Sequence, residues 1–189
     1  MTDQTELHHT VRFQKQPKFS NMTKMMALKK DLEALRAKDP HMHAVVFTQH
    51  VAAHAAVVLL LRQMGIVAYE LRSGVAAKHR HNSIKAFQAQ EKKAKVMVST
   101  LRVGNCGITL TAATRVYLIE PFIDPAHELQ AAGRIHRLGQ LKEVLVKRFC
   151  FRKSFDECVY DLHKKIKSGK VSVQNGALPT NAVRALTTM

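Results

Sequence analysis

A chain of 189 residues, 46% hydrophobic and 23% charged, is long enough to bury one substantial core and fits a single globular domain with loose ends. Its 30 Lys and Arg against 14 Asp and Glu leave a formal charge of +16, which favours a polyanionic partner, nucleic acid ahead of a membrane surface. No apolar run approaches the roughly 20 residues of a membrane span, and no signal-peptide core opens the chain; Cys106, Cys150 and Cys158 lack C-x-x-C spacing, which argues against a disulfide framework or zinc knuckle and fits a reducing, intracellular compartment.

Residues 1–19 are polar and irregular and read as a flexible segment ahead of a domain spanning 20–168. Ser20 or Asn21 is placed to cap a helix reaching about Lys38, in which Met22, Met25, Leu28, Leu32 and Leu35 recur at core-packing spacing before Asp39-Pro40 stops it. The pattern then alternates. A strand over 44–48 leads to a helix from Val51 to Met64 closed by Gly65, a strand from Ile66 to Leu71, and a helix from Val75 to Gln90 with Ile84 and Phe87 facing inward. Strands follow at Lys95 to Ser99 and Arg115 to Ile119, then a helix from Pro125 to Leu138 and a strand from Glu143 to Phe151. Ser154 and Glu157 form a capping box for a helix to about Lys167, and 169–189 reads as a flexible tail. Short apolar strands separated by helices predict an α/β fold, a mostly parallel sheet covered on both faces.

Ligands of such folds sit beyond the carboxyl ends of the strands. The loops there carry Gln49-His50, Arg72-Ser73-Gly74, and Thr100 through Arg102 to Gly107. Gly104 and Gly107 permit a tight turn and close approach of backbone N–H groups to phosphate, although a glycine turn after a strand is often only a turn. Lys92, Lys93 and Lys95 are further candidates for phosphate contacts, set against the plainer reading of a solvated loop.

The most informative stretch is His127 to Gln140, H-E-L-Q-A-A-G-R-I-H-R-L-G-Q, bounded by Pro125 and by Gly139 as a helix stop. At about 100° per residue Gln130, Arg134 and Arg137 fall within a sector of roughly 60°. Leu129, Ala132, Gly133 and His136 lie on the adjoining face, suited to leaning on a sheet. Two guanidiniums and an amide on a braced helix form a clamp for anionic oxygens; the alternative is a solvated basic face. The sequence has no G-x-x-x-x-G-K-[ST] phosphate loop. Asp156-Glu157-Cys158-Val159 imitates a magnesium-binding acidic box but opens a capped helix instead of ending a buried strand.

In order, these segments resemble the second RecA-like lobe, the helicase C-terminal domain, of the Swi/Snf-type DNA-dependent ATPases of helicase superfamily two, over roughly residues 20–168. Ala44 to Gln49 resembles motif IV, and Gly74, Arg80 and Phe87 fit the G-x5-R-x6-F pattern that follows it. Ser99-Thr100 through Gly104, Gly107 and Leu110-Thr111-Ala112-Ala113 to Glu120-Pro121 resembles motif V, and Gln130, Arg134 and Ile135 to Gln140 resemble motif VI. RNA helicases of the DEAD-box group end this last motif on Arg, so Gln140 favours the DNA-translocating branch. Asn105, Thr109 and Phe122-Ile123-Asp124-Pro125 depart from the family's usual glycine, asparagine and Trp-Asn-Pro.

The resemblance implies a RecA-like three-layer sandwich forming one lobe, with Arg134 and Arg137 as arginine fingers for the γ-phosphate of ATP and Gln130 positioning them. It implies that ATP and Mg2+ are held mainly by a first lobe, supplied in cis or in trans, and that the chain alone does not turn over ATP. Double-stranded DNA is the expected partner, touched by motif V (Thr100, Arg102) and by the loops at Gln49 and Arg72, with no membrane. Chromatin remodelling or DNA repair in a nucleus, if the source is eukaryotic, is the expected setting. The rival function is a non-enzymatic basic nucleic-acid-binding domain, with an RNA-helicase lobe behind it.

Overall fold

The computed structural model describes residues 22–100, 108–137, 140–173, 178–184 and 186. Their elements run α1 (Thr23–Lys38), β1 (His43–Thr48), α2 (Val51–Gln63), β2 (Val67–Leu71), α3 (Ala77–Gln88), β3 (Lys95–Thr100), β4 (Arg115–Leu118), α4 (Pro125–Gly133), β5 (Leu145–Arg148), α5 (Phe155–Lys167) and α6 (Thr180–Arg184). The strands form one sheet in the order β2-β3-β1-β4-β5, and every pairing is parallel.

The period-2 alternation of the strands divides the core into two layers. Ala44 and Val46 of β1, Val96 and Val98 of β3 and Tyr117 of β4 pack with Met25, Leu28 and Leu32 of α1 and Val57, Leu60 and Leu61 of α2. Val45 and Phe47, Met97, and Val116 and Leu118 point the other way, onto Phe87 of α3 and onto Ala131 and Ile135 at α4. Central strands buried on both faces need continuous apolar runs, which is why they are so readable; the edge strands β2 and β5 are only partly buried and more polar. Asp31 of α1 locks one layer to the sheet, accepting from the Tyr117 hydroxyl at 2.5 Å and pairing with Lys147 of β5. Burial opposes ionisation of Asp31, but the bonds from Lys147 and Tyr117 outweigh it and hold the carboxyl below its usual range.

Several expected boundaries shift for local reasons. Met22 is the N-cap of α1 and gives no side-chain cap bond, while Ser20 and Asn21 lie outside the described residues. Ser154 caps α5 by accepting from the Asp156 N–H at 3.2 Å. Glu157 reaches past it to the N–H of Lys153 at 2.6 Å, because Lys153, at φ 50, turns that group inward. The tail is not wholly unstructured: α6 lies within it, and Leu186 is buried against Val159 and Leu162 of α5, completing a third, small core. Among the described residues no helix is long and apolar enough to cross a membrane.

Candidate functional site

Because all strands point one way, the sheet has a carboxyl edge and an amino edge, separated by about 20 Å, the length of a six-residue strand. Thr48, Gln49, Arg72 and Thr100 gather at the carboxyl edge, as expected. There Glu120, just past β4, accepts from the Thr48 hydroxyl at 3.0 and 2.9 Å and from the Gln49 N–H at 3.0 Å. The Gln49 side-chain amide is itself spent on the Pro121 carbonyl at 3.0 Å, so this loop is stiffened by its own polar groups. Arg102, Gly104 and Gly107 lie outside the described residues.

The arginines occupy the opposite edge. Asp124 caps α4 through the Ala126 N–H at 2.8 Å and Pro125 opens its first turn, so the helix starts where the sequence places it. It ends at Gly133, short of the expected Leu138, which with Gly139 lies outside the described residues. Arg134 is the C-cap: its N–H tightens onto Ala131 O at 3.2 Å, and its own carbonyl is captured by the Leu110 N–H at 2.9 Å. Arg134 and Arg137 therefore stand in the turn after the helix, and the single helical face expected to carry them with Gln130 does not extend that far.

Local and tertiary bonds together brace this turn, with the His136 N–H still donating to Ala132 O at 2.9 Å. Arg137 donates from Nε to Gly133 O at 3.1 Å and from Nη1 to the Thr109 hydroxyl at 2.9 Å, yet the residue remains exposed. Gln140 Nε2 donates to Thr111 O at 2.8 Å and to Ala113 O at 2.9 Å, and Gln88 at the end of α3 holds the same segment from its other side, accepting from the Ala112 N–H at 2.8 Å. Ala113 lies just ahead of β4, which fixes the turn at the amino ends of the strands. Among the described residues the side chains of Gln130 and Arg134 make no hydrogen bond. Gln130, Arg134 and Arg137 thus offer amide and guanidinium donors, a set for anionic oxygens and not for a cation.

The face of α4 expected to lean on the sheet is also corrected. Leu129 is 71% exposed and His136 is exposed, whereas Glu128, Ala131 and Ile135 are buried. Glu128 accepts from the Phe122 N–H at 3.2 Å and pairs with Arg148 of β5. The spacing 128, 131, 135 is itself helical and could have revealed this face; an acid among small residues hid it.

One of the lysine candidates is corrected too. Lys95 is fully buried, its ammonium donating to Ala86 O at 2.6 Å and Ala89 O at 2.9 Å at the end of α3, so it is a structural cation and not a nucleic-acid contact. Lys92 and Lys93 are exposed, but they precede β3 and stand at the amino edge, away from Gln49, Arg72 and Thr100.

Residues 23–139 match the family model of the helicase conserved C-terminal domain. The human helicase-like transcription factor is 33% identical over 168 residues, covering 88% of this chain and 16% of that protein. The DNA repair protein RAD5 of Gibberella zeae is 33% identical over 148 residues, 78% of this chain and 13% of its own length. The chain therefore spans about a sixth or less of these relatives. The crystal structure of the C-terminal part of the Fun30 ATPase domain superposes with a TM-score of 0.68 at 25% identity, covering 73% of this chain and 44% of that one. Fold, motif order and relatives agree: the chain belongs to the helicase C-terminal domain family, as a second RecA-like lobe of the Swi/Snf type.

Proposed function

We propose that this chain is the half of an ATP-driven translocase on double-stranded DNA that supplies Arg134 and Arg137 to the γ-phosphate of ATP and grips the DNA backbone with its carboxyl-edge loops. ATP and Mg2+ are held by a first RecA-like lobe, in cis or in trans, and the arginine turn closes on them from the amino edge. The observation that carries this reading is the bracing of Arg137 by Gly133 O and the Thr109 hydroxyl, which fixes an exposed guanidinium in one orientation. A guanidinium oriented in advance stabilises charge that develops on a transferred phosphoryl group without reorganising at the moment of reaction. Repair of DNA is the setting that the name of the DNA repair protein RAD5 fits, and remodelling in a nucleus goes with the Swi/Snf type.

A non-enzymatic domain that binds nucleic acid through its +16 charge is the second reading. DNA-stimulated ATP hydrolysis by the chain joined to a first lobe, measured beside duplex affinity, separates the two. Hydrolysis lost in Arg137→Ala with affinity retained supports the phosphate-facing role. Affinity lost with hydrolysis per bound complex unchanged turns the arginine turn into a DNA-binding surface.

A further inference from the structure

The helix that carries the arginine turn has little apolar grip. α4 is nine residues long, roughly 13 Å, and its buried residues are Glu128 and Ala131, with Ile135 just past its end. Leu129, the largest apolar side chain on the helix, is 71% exposed. A methyl group and one isoleucine hold a short helix against a sheet but scarcely fix its rotation, because apolar burial is non-directional. Among the described residues, the side-chain bonds that tie the helix itself to other segments come from Glu128, while Leu110 and Thr109 hold only the turn beyond it: one Glu128 oxygen accepts from the Phe122 N–H on the loop entering the helix, and the other pairs with Arg148, the last residue of β5. At about 100° per residue Glu128 and Gln130 point roughly 200° apart, so an anchor on the inner face sets what the outer face presents.

We infer that Glu128 and Arg148 are the positioning pair of the arginine turn: their ion pair fixes the roll of α4 and so aims Gln130, Arg134 and Arg137. This rests on reading that turn as the phosphate-facing site. The two partners differ in a way that dictates the variants. Arg148 is 40% exposed and can hydrate when its partner is neutralised, whereas the Glu128 side chain is 2% exposed and would be left as a buried, unpaired carboxylate. Glu128→Gln and the neutral pair Glu128→Gln with Arg148→Met are therefore the variants that keep the fold.

In an assembly with a first lobe, both variants lower kcat for DNA-stimulated hydrolysis by about 10²-fold, the order expected when a reacting group is displaced by about 1 Å. KM for ATP changes little beside kcat, since the first lobe holds ATP and Mg2+, and duplex affinity stays unchanged, since the DNA is gripped by the carboxyl-edge loops. In the chain itself, amides of residues 126–136 exchange hydrogen faster in Glu128→Gln, while those of β1 and β3 keep their protection. A fall in Tm with kcat per folded molecule unchanged overturns the inference and leaves the pair purely structural. Arg137→Ala in the same assembly separates the two levels. If it abolishes turnover while the Glu128→Gln variants keep theirs, the pair alone is refuted. If Arg137→Ala leaves turnover intact, the phosphate-facing reading falls, and retained protection over 126–136 in Glu128→Gln would refute the pair as well.

Discussion

The two edges of the sheet use the same chemistry to opposite ends. At the carboxyl edge Gln49 and Glu120 satisfy one another's loops, and the amide that the sequence marks for DNA is already engaged with Pro121 O. At the amino edge Gln88 and Gln140 bind backbone groups of 111–113, and that bracing leaves the guanidinium of Arg137 in place and exposed. A polar side chain near a strand end can build a site or be the site, and which role it takes depends on who occupies its hydrogen bonds. Thr109 belongs to the first kind: where the family usually has asparagine, a hydroxyl holds Arg137.

The sharpest way to break this comparison is to remove the exposed member of the amino edge. Arginine fingers contribute about 10³ to 10⁵ in turnover in related phosphoryl transfers, so Arg137→Ala in the two-lobed assembly should nearly abolish hydrolysis. Arg137→Lys should restore little, because an ammonium cannot make the paired bonds to Gly133 O and Thr109 while also reaching a phosphate. Arg134→Ala should be similarly severe and Gln130→Ala milder, as a neutral amide contributes less than a charge-assisted bond. Steady-state hydrolysis with saturating duplex measures all four. Undiminished turnover in Arg137→Ala would place the catalytic charge elsewhere.

Next in size is the buried cation. Lys95→Met leaves the Ala86 carbonyl without its lysine donor and Ala89 O with the Glu91 N–H alone, at a cost of about 1–3 kcal/mol for an unmade buried bond. Urea denaturation should show this loss of stability, with duplex affinity of the folded protein unchanged. A variant of full stability with weakened affinity would return Lys95 to the DNA surface.

Acid should act on both edges. His43 opens β1 at the amino edge, and His54 of α2 lies near Val98 O at 3.3 Å and Glu70, towards the carboxyl ends of β3 and β2. Burial holds both imidazoles below their ordinary value of 6.5. The unfolded chain then takes up protons first, so this stability is fully present above pH 6.5 and is lost as pH falls through that value towards the folded-state values. Tm measured from about pH 7.5 down to 5.5 should fall, with a shallower slope in His54→Gln. Equal slopes for the two proteins would remove His54 from the effect.

Legibility follows from how local the cause is. The central strands were readable because burial on both faces demands unbroken apolar residues such as Ala44 to Phe47. The start of α4 was readable because Asp124 and Pro125 act on their own neighbours. Its end was not, because the Arg134 carbonyl is claimed by Leu110, 24 positions upstream in the chain and adjacent only after folding. Lys95 misled for a different reason: its socket, the carbonyls of Ala86 and Ala89, is close by in the chain, but the charge of a lysine at the head of an apolar strand reads as exposure. The general rule that ligands meet the carboxyl ends of parallel strands points to one edge of the sheet and says nothing of the turn on the other.

The smallest effect tests whether the two edges are separate surfaces at all. Lys92 and Lys93 are exposed, lie ahead of β3, and are about a strand's length from Arg72, so a duplex seated on the carboxyl-edge loops need not touch them. Each phosphate contact contributes about one unit to the slope of log affinity against log salt. Arg72→Ala should therefore flatten that slope by about one, and Lys92→Ala with Lys93→Ala should leave it where it was, with Tm unmoved because both side chains project into solvent. Titration of one duplex at several salt concentrations resolves a change of this size, and a second duplex of unrelated sequence shows whether the contacts are to the backbone alone. A slope lowered by the double lysine variant and untouched by Arg72→Ala would move the DNA to the amino edge, beside the arginine turn, and join the two surfaces into one.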